Sequence, residues 1–132
     1  MIVIPKVFLD SMISHALADD PNECCGILAG SNGIFHKLFR MTNVDSSPYR
    51  YSWDSKELFH VWREMEDSEW DFRLVYHSHT HSPAYPSDTD IRLANWPEAS
   101  YLILSLENKD LPIVRCFDII DGIVTEKDIE IK

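Results

Sequence analysis

The chain has 132 residues, enough for one domain (1–132) that buries roughly two thirds of its unfolded-state surface, and too few for two. Apolar residues at 45% with charged residues at 26% exclude a disordered chain, and a formal charge of −10 argues against nucleic acid or an anionic membrane as partner. No apolar run has the length of a membrane span, and the start, MIVIPKVFLDSM, lacks the basic region and cleavage site of a signal peptide, which predicts a cytoplasmic location.

Residues 2–4 predict a short strand. From Pro5 the pairs Phe8/Leu9, Met12/Ile13 and Ala16/Leu17 recur every four residues, a helical spacing that ends before Asp19-Asp20-Pro21. ECCGILAG at 23–30 and GIFHKLFR at 33–40 are apolar or alternating runs around Ser31-Asn32-Gly33, and they predict a β-hairpin. Asp54 followed by Glu57 has the spacing of a capping box, and Leu58, Val61, Trp62 and Met65 fall on one face of a helix over about 54–67. RLVYHSH at 73–79 has the composition of a strand, 80–86 reads as a loop, and Ser87 is placed to cap a short helix reaching Asn95. Three further strands are predicted at about 100–105, 112–118 and 123–130. Helices and strands interleave at first and strands alone close the chain. The predicted fold class is therefore mixed α/β, a sheet with helices packed on it, and not a doubly wound parallel sheet. Cys24, Cys25 and Cys116 form neither a C-x-x-C pair nor an even set and read as buried reduced thiols.

Residues i and i+2 of a strand share a face, so His77 and His79 aim both imidazoles to one side while Tyr76 and Ser78 point to the other. Asp90 stands at the third helical position after Ser87, where a loop of this length can fold its carboxylate back over the strand end. Two nitrogens and one oxygen with an open fourth position suit one Zn²⁺ per chain better than a hard cation. Each piece taken alone has a plainer reading. An H-x-H pair arises by chance, Glu23 beside a turn reads as a solvent-facing acid, and Ser87 with Asp90 reads as a helix cap and a first-turn acid favoured by the helix dipole. The string as a whole, H-S-H, seven residues, Ser, two residues, Asp, fixes four residue types at fixed offsets.

That string, with Glu23 upstream in PNECCGILAG at the start of an apolar run that ends in glycine, resembles the JAMM metallopeptidases. The resemblance implies a JAMM/MPN-type curved sheet flanked by helices, with His77, His79 and Asp90 as the metal ligands. It further implies that Glu23 takes a proton from the attacking water and passes it to the leaving group, while the Ser87 hydroxyl supports the developing oxyanion. Many members carry proline after the second histidine, where this chain has Thr80 and His81. Thr80, together with MTN at 41–43, SP at 47–48, WREMED at 62–67, AYPS at 84–87 and DGIVTE at 121–126, is similar to the bacterial branch that acts on conjugates of cysteine with a ubiquitin-like sulfur-carrier protein. That similarity implies hydrolysis of the amide after the carrier's C-terminal Gly-Gly, with release of cysteine for biosynthesis. The alternatives are a JAMM isopeptidase of deubiquitinase type acting on another ubiquitin-like tail, and an inactive scaffold of the related metal-free kind. Such scaffolds usually lose a motif residue, and all five are present here. His81 shares the parity of His77 and His79, but Pro83 predicts that the strand has ended, which leaves His81 on the substrate side or the surface.

Overall fold

In the computed structural model, which describes residues 1–132, strand β1 (Ile2–Ile4) leads into helix α1 (Lys6–Asp19). Pro5 sits at the N-cap, where its missing N–H costs nothing because the first turn has no carbonyls to receive such donors. Strands β2 (Cys25–Ser31) and β3 (Ile34–Met41) form the expected hairpin, and Asn32 and Gly33 both take the positive φ, 54° and 74°, that a tight two-residue turn requires. Helix α2 (Ser55–Asp67), β4 (Phe72–His79), the short α3 (Asp88–Arg92), β5 (Ser100–Ser105), β6 (Ile113–Ile120), β7 (Ile123–Lys127) and β8 (Ile129–Ile131) complete the chain.

Six strands form a curved mixed sheet in the order β3-β2-β4-β5-β6-β7, in which β4–β5 is the parallel pair and the other neighbours are antiparallel. Side-chain parity sorts the core into two halves. Leu28, Leu74, Tyr76, Leu102 and Leu104 face α1 through Met12 and Ala16. On the opposite face, Ile27 packs with Val61 and Met65 of α2, while Val75, Ile103 and Phe117 form a second cluster under Trp53 and Trp96. His77 and His79 continue the parity of Val75, so they project from this second face at the C-terminal end of β4.

Four local expectations are corrected. Glu23 lies two residues before β2 instead of within it. Helix α3 stops at Arg92, short of Asn95, because the chain turns to seat Trp96 against Trp53 and Trp62, at centroid separations of 6.1 and 5.3 Å, and because Pro97 disfavours a helical residue before it. The strand expected over 123–130 breaks at Asp128, and β8 leaves the large sheet to pair in parallel with β1, covering Ile2 and Ile4. The capping box at α2 is half formed: Asp54 accepts the Glu57 N–H at 3.0 Å, but the Glu57 carboxylate instead accepts from the Thr42 N–H (2.8 Å) and hydroxyl (2.7 Å), tying α2 to the end of β3. All three cysteines are free and buried, and no helix is long and apolar enough to cross a membrane.

Candidate metal centre

The strand end brings His77 and His79 together, and α3 supplies the third side chain. Ser87 accepts the Asp90 N–H at 3.1 Å while the Asp90 carboxylate accepts the Ser87 N–H at 2.9 Å, a complete capping box that fixes the Asp90 side chain. The same oxygen, Oδ2, lies 2.9 Å from His79 Nε2 and 3.2 Å from His77 Nε2, and the two Nε2 atoms are 3.2 Å apart. Pro83's carbonyl, 2.8 Å from His79 Nδ1, can only accept, so Nδ1 carries a proton, and once Nε2 gives up its own the neutral ring turns a lone pair toward Asp90 and His77. One proton on His77 Nε2 serves one neighbour and leaves the other donor pair opposed. A cation satisfies all three atoms at once. Donors held about 2.0 Å from a tetrahedral ion stand about 3.3 Å apart, which is the spacing found here. The residues therefore fit a metal ion.

Burial and charge agree with this arrangement. His77, His79 and Glu23 expose no more than 3% of their surface. Burial alone would raise the Asp90 carboxyl, but the charge of His77, hydrogen bonds from both imidazoles and the Ser87 N–H hold it well below the usual carboxylate range. Burial lowers His79, and the bonds to Asp90 and to the Pro83 carbonyl outweigh it, so its net shift is upward.

Glu23 reaches this face because Cys25 lies opposite His77 in the β2–β4 ladder, and two bonds fasten the preceding residue: Cys24 N–H to Ser78 Oγ at 2.8 Å and Ser78 N–H to the Cys24 carbonyl at 3.1 Å. The Glu23 backbone is held as well, its N–H by the Ser47 carbonyl (2.9 Å) and its carbonyl by Asn43 Nδ2 (3.0 Å). The side chain is another matter. Oε1 is buried without a hydrogen-bond partner, and burial, eased by the charge of His79 and reinforced by that of Asp90, pushes the carboxyl up to about 8. Ser87 is exposed, and because its oxygen accepts in the cap, its own hydrogen remains free to donate. His81 is exposed and bonded to Thr80, apart from the cluster.

Asp90 also lines a cavity of about 330 Å³ walled by Tyr51, Trp53, Trp96 and Tyr101, with Arg50 among its residues. The Tyr51 ring lies against His77 at 4.7 Å. The sequence reading missed this wall. Its one signal was the aromatic density of YRYSW inside a polar stretch, which neither helical nor strand periodicity organises.

The family described as prokaryotic homologs of the JAB domain matches residues 5–119. The chain is 40% identical to a CysO-cysteine peptidase of Mycobacterium tuberculosis, over 99% of this chain and 91% of that one. It is 35% identical to a desampylase of Haloferax volcanii, over 76% of this chain and 77% of the other. The solution structure of protein DSY2949 from Desulfitobacterium hafniense superposes with a TM-score of 0.86 at 34% identity, covering 100% of this chain and 93% of that one. The chain therefore belongs to the prokaryotic JAB-domain family, and it is a hydrolase of the JAMM type.

Proposed function

We propose that the protein is a zinc peptidase that cleaves the amide after the C-terminal Gly-Gly of a ubiquitin-like sulfur-carrier protein, releasing cysteine. The observation that carries the reading is the convergence of His77, His79 and Asp90 at tetrahedral spacing beside a buried carboxylate with no hydrogen-bond partner on one oxygen. The mycobacterial CysO-cysteine peptidase supports the cysteine conjugate, and the desampylase supports only the broader class of ubiquitin-like conjugates. Two imidazoles with one carboxylate favour Zn²⁺ over hard cations. When bound, the ion supplies a Lewis acid that acidifies water and polarises the scissile carbonyl.

The chain's own residues do the rest. Glu23, desolvated and poised near neutral pH, accepts the proton of the attacking water and delivers it to the leaving amine as the C–N bond breaks. Ser87 donates its free hydrogen to the carbonyl oxygen as negative charge builds there. Asp90 stays ionised, held by its cap, and His79 is oriented by the Pro83 carbonyl. The aromatic cavity beside Asp90 gives an extended peptide apolar walls near the reacting centre. Three free buried thiols fit a reducing compartment, in keeping with a cytoplasmic setting.

Mass spectrometry of a carrier extended by Gly-Gly-Cys should show loss of one cysteine, dependent on added zinc and on Glu23. Equal or faster cleavage of diubiquitin, or of an archaeal-type protein conjugate, would move the chain to the second reading suggested by the desampylase, a broader ubiquitin-like isopeptidase.

A further inference from the structure

Asn43 lies two residues beyond the end of β3 and is 8% exposed, yet it uses every hydrogen-bonding position of its amide. Nδ2 donates to the Glu23 carbonyl and to the Arg50 carbonyl, both at 3.0 Å. Oδ1 accepts from the Asp45 N–H at 3.1 Å and the Ser52 N–H at 3.2 Å. An Asx turn accounts for the Asp45 bond alone, since that partner is two residues away. The other three reach 7, 9 and 20 residues along the chain. One side chain thus closes the loop from Asn43 to Trp53, whose ends also meet as an isolated antiparallel bridge, and joins that loop to the residue before Cys24.

The loop closed in this way touches the site on three sides. Its Ser47 carbonyl accepts the Glu23 N–H, its Pro48 carbonyl accepts the Thr80 hydroxyl at 3.3 Å, and its Tyr51 ring lies on His77. The ligand-bearing elements β4 and α3 are not held by Asn43. We propose that Asn43 is a positioning residue for the reaction: it fixes the Glu23 backbone and the 44–52 strap in one register, and so sets the base and the Tyr51 wall relative to an independently built metal centre. The proposal rests on Glu23 being the base, as argued above.

The variants are Asn43→Asp, which keeps both acceptor bonds and turns an oxygen toward two carbonyls, and Asn43→Ala, which removes all four. Both should retain wild-type metal stoichiometry, because His77, His79 and Asp90 lie elsewhere. The folded, metal-loaded variants should show kcat lowered about 10- to 100-fold with KM little changed, the range expected when a reacting group is misplaced by a fraction of an ångström to an ångström. Independently of any substrate, the Glu23 amide should exchange with solvent at least about tenfold faster, while Val75 and Leu102 in the sheet centre keep their protection. Met12→Ala, on α1 where it packs against the opposite face of the sheet, provides a destabilised comparison whose kcat should not change.

An unchanged kcat in the loaded variants, or Glu23 exchange as slow as in the wild type, overturns the proposal. If wild-type protein spares the cysteine conjugate and cuts another ubiquitin-like conjugate, the substrate reading falls, and the same kcat comparison on that conjugate decides for Asn43. If Asn43→Ala does not fold, the near-isosteric Asn43→Asp carries both readouts.

Discussion

The two faces of β4 bury polar side chains to the same degree and treat them in opposite ways. Toward α1, the Tyr76 hydroxyl pairs with His15 Nδ1 at 2.8 Å, His15 Nε2 faces Asp19 at 3.3 Å, and Ser78 Oγ accepts the Cys24 N–H. Toward α3, His77 Nδ1 and Glu23 Oε1 find no partner, and three ligand atoms crowd within hydrogen-bond distance of one another. Exposure does not separate the faces, since Tyr76, Ser78, His77 and His79 are all nearly inaccessible. Completion does. A polar group that serves the fold is closed by the chain itself, whereas one that serves chemistry is left to be closed by an ion, a water or a substrate.

The sharpest way to break this contrast is to remove a donor from the open face. His77→Ala or His79→Ala should lose bound metal and activity together, the activity falling to background, with metal content read by elemental analysis after reconstitution. Full retention of metal by either variant would mean that the cluster is an ordinary ion pair. Next in size is Glu23→Gln, which keeps the side chain's shape and lies outside the ligand set. It should hold metal at wild-type stoichiometry and lose on the order of 10³–10⁴ in turnover. Metal loss there would make Glu23 a ligand and undo the division of labour.

Much of the closed face was legible in the sequence, and so was the ligand string, because both follow from periodicity. Alternation in RLVYHSH determines which residues share a side, and the Ser87/Asp90 spacing specifies a cap. What was not legible depends on contacts between distant segments. Glu57 has the spacing to close its own helix cap, yet Thr42 claims it, a competition that only the folded approach of β3 and α2 decides. Tyr51 and Asn43 sit in an aperiodic stretch, and their partners lie 26 and 20 residues away in sequence, at His77 and Glu23. Asp128 looked like strand interior because β7 and β8 share its alternation, although they belong to different sheets.

Ser87 tests whether one residue can belong to both categories. Ser87→Ala should lower kcat by about 10²–10³ through loss of an oxyanion donor, and stability by about 1 kcal/mol through loss of the cap. Ser87→Asn preserves a cap acceptor, so it should recover stability without recovering kcat. If stability and rate return together, the serine acts through the cap alone.

A smaller effect concerns the unmet carboxyl. Glu23 is raised from about 4.5 to about 8 by burial, so the folded metal-free chain keeps its proton between those values while the unfolded chain has lost it. Folding then binds protons in that window, and stability falls as pH rises through it. Metal-free wild-type protein should therefore lose on the order of 3–4 kcal/mol relative to Glu23→Gln between pH 5 and pH 8, measured by urea denaturation at each pH. Bound metal, placing positive charge nearby, should shrink the difference. A flat difference across this range would place Glu23 in contact with water.

The smallest effect is expected on the closed face, from Tyr76→Phe. The ring itself cannot drift, because a Cβ built on Gly26 would lie 2.2 Å from it, which shows how tightly β2 presses on its plane; phenylalanine should occupy the same place. What is lost is one hydrogen bond. His15 keeps Asp19 within 3.3 Å of Nε2, so only Nδ1 is left unanswered, and the cost should be about 1 kcal/mol of unfolding free energy. The deletion is buried, lies next to His77 in sequence, and should nonetheless leave metal stoichiometry and kcat unchanged, because the residues at 76 and 77 project to opposite sides of the sheet and share no partner. A lower metal affinity or kcat in this variant would mean that the closed face transmits its strain through β4 to the imidazoles, and the separation of structural from chemical polar groups would have to be redrawn around the strand instead of across it.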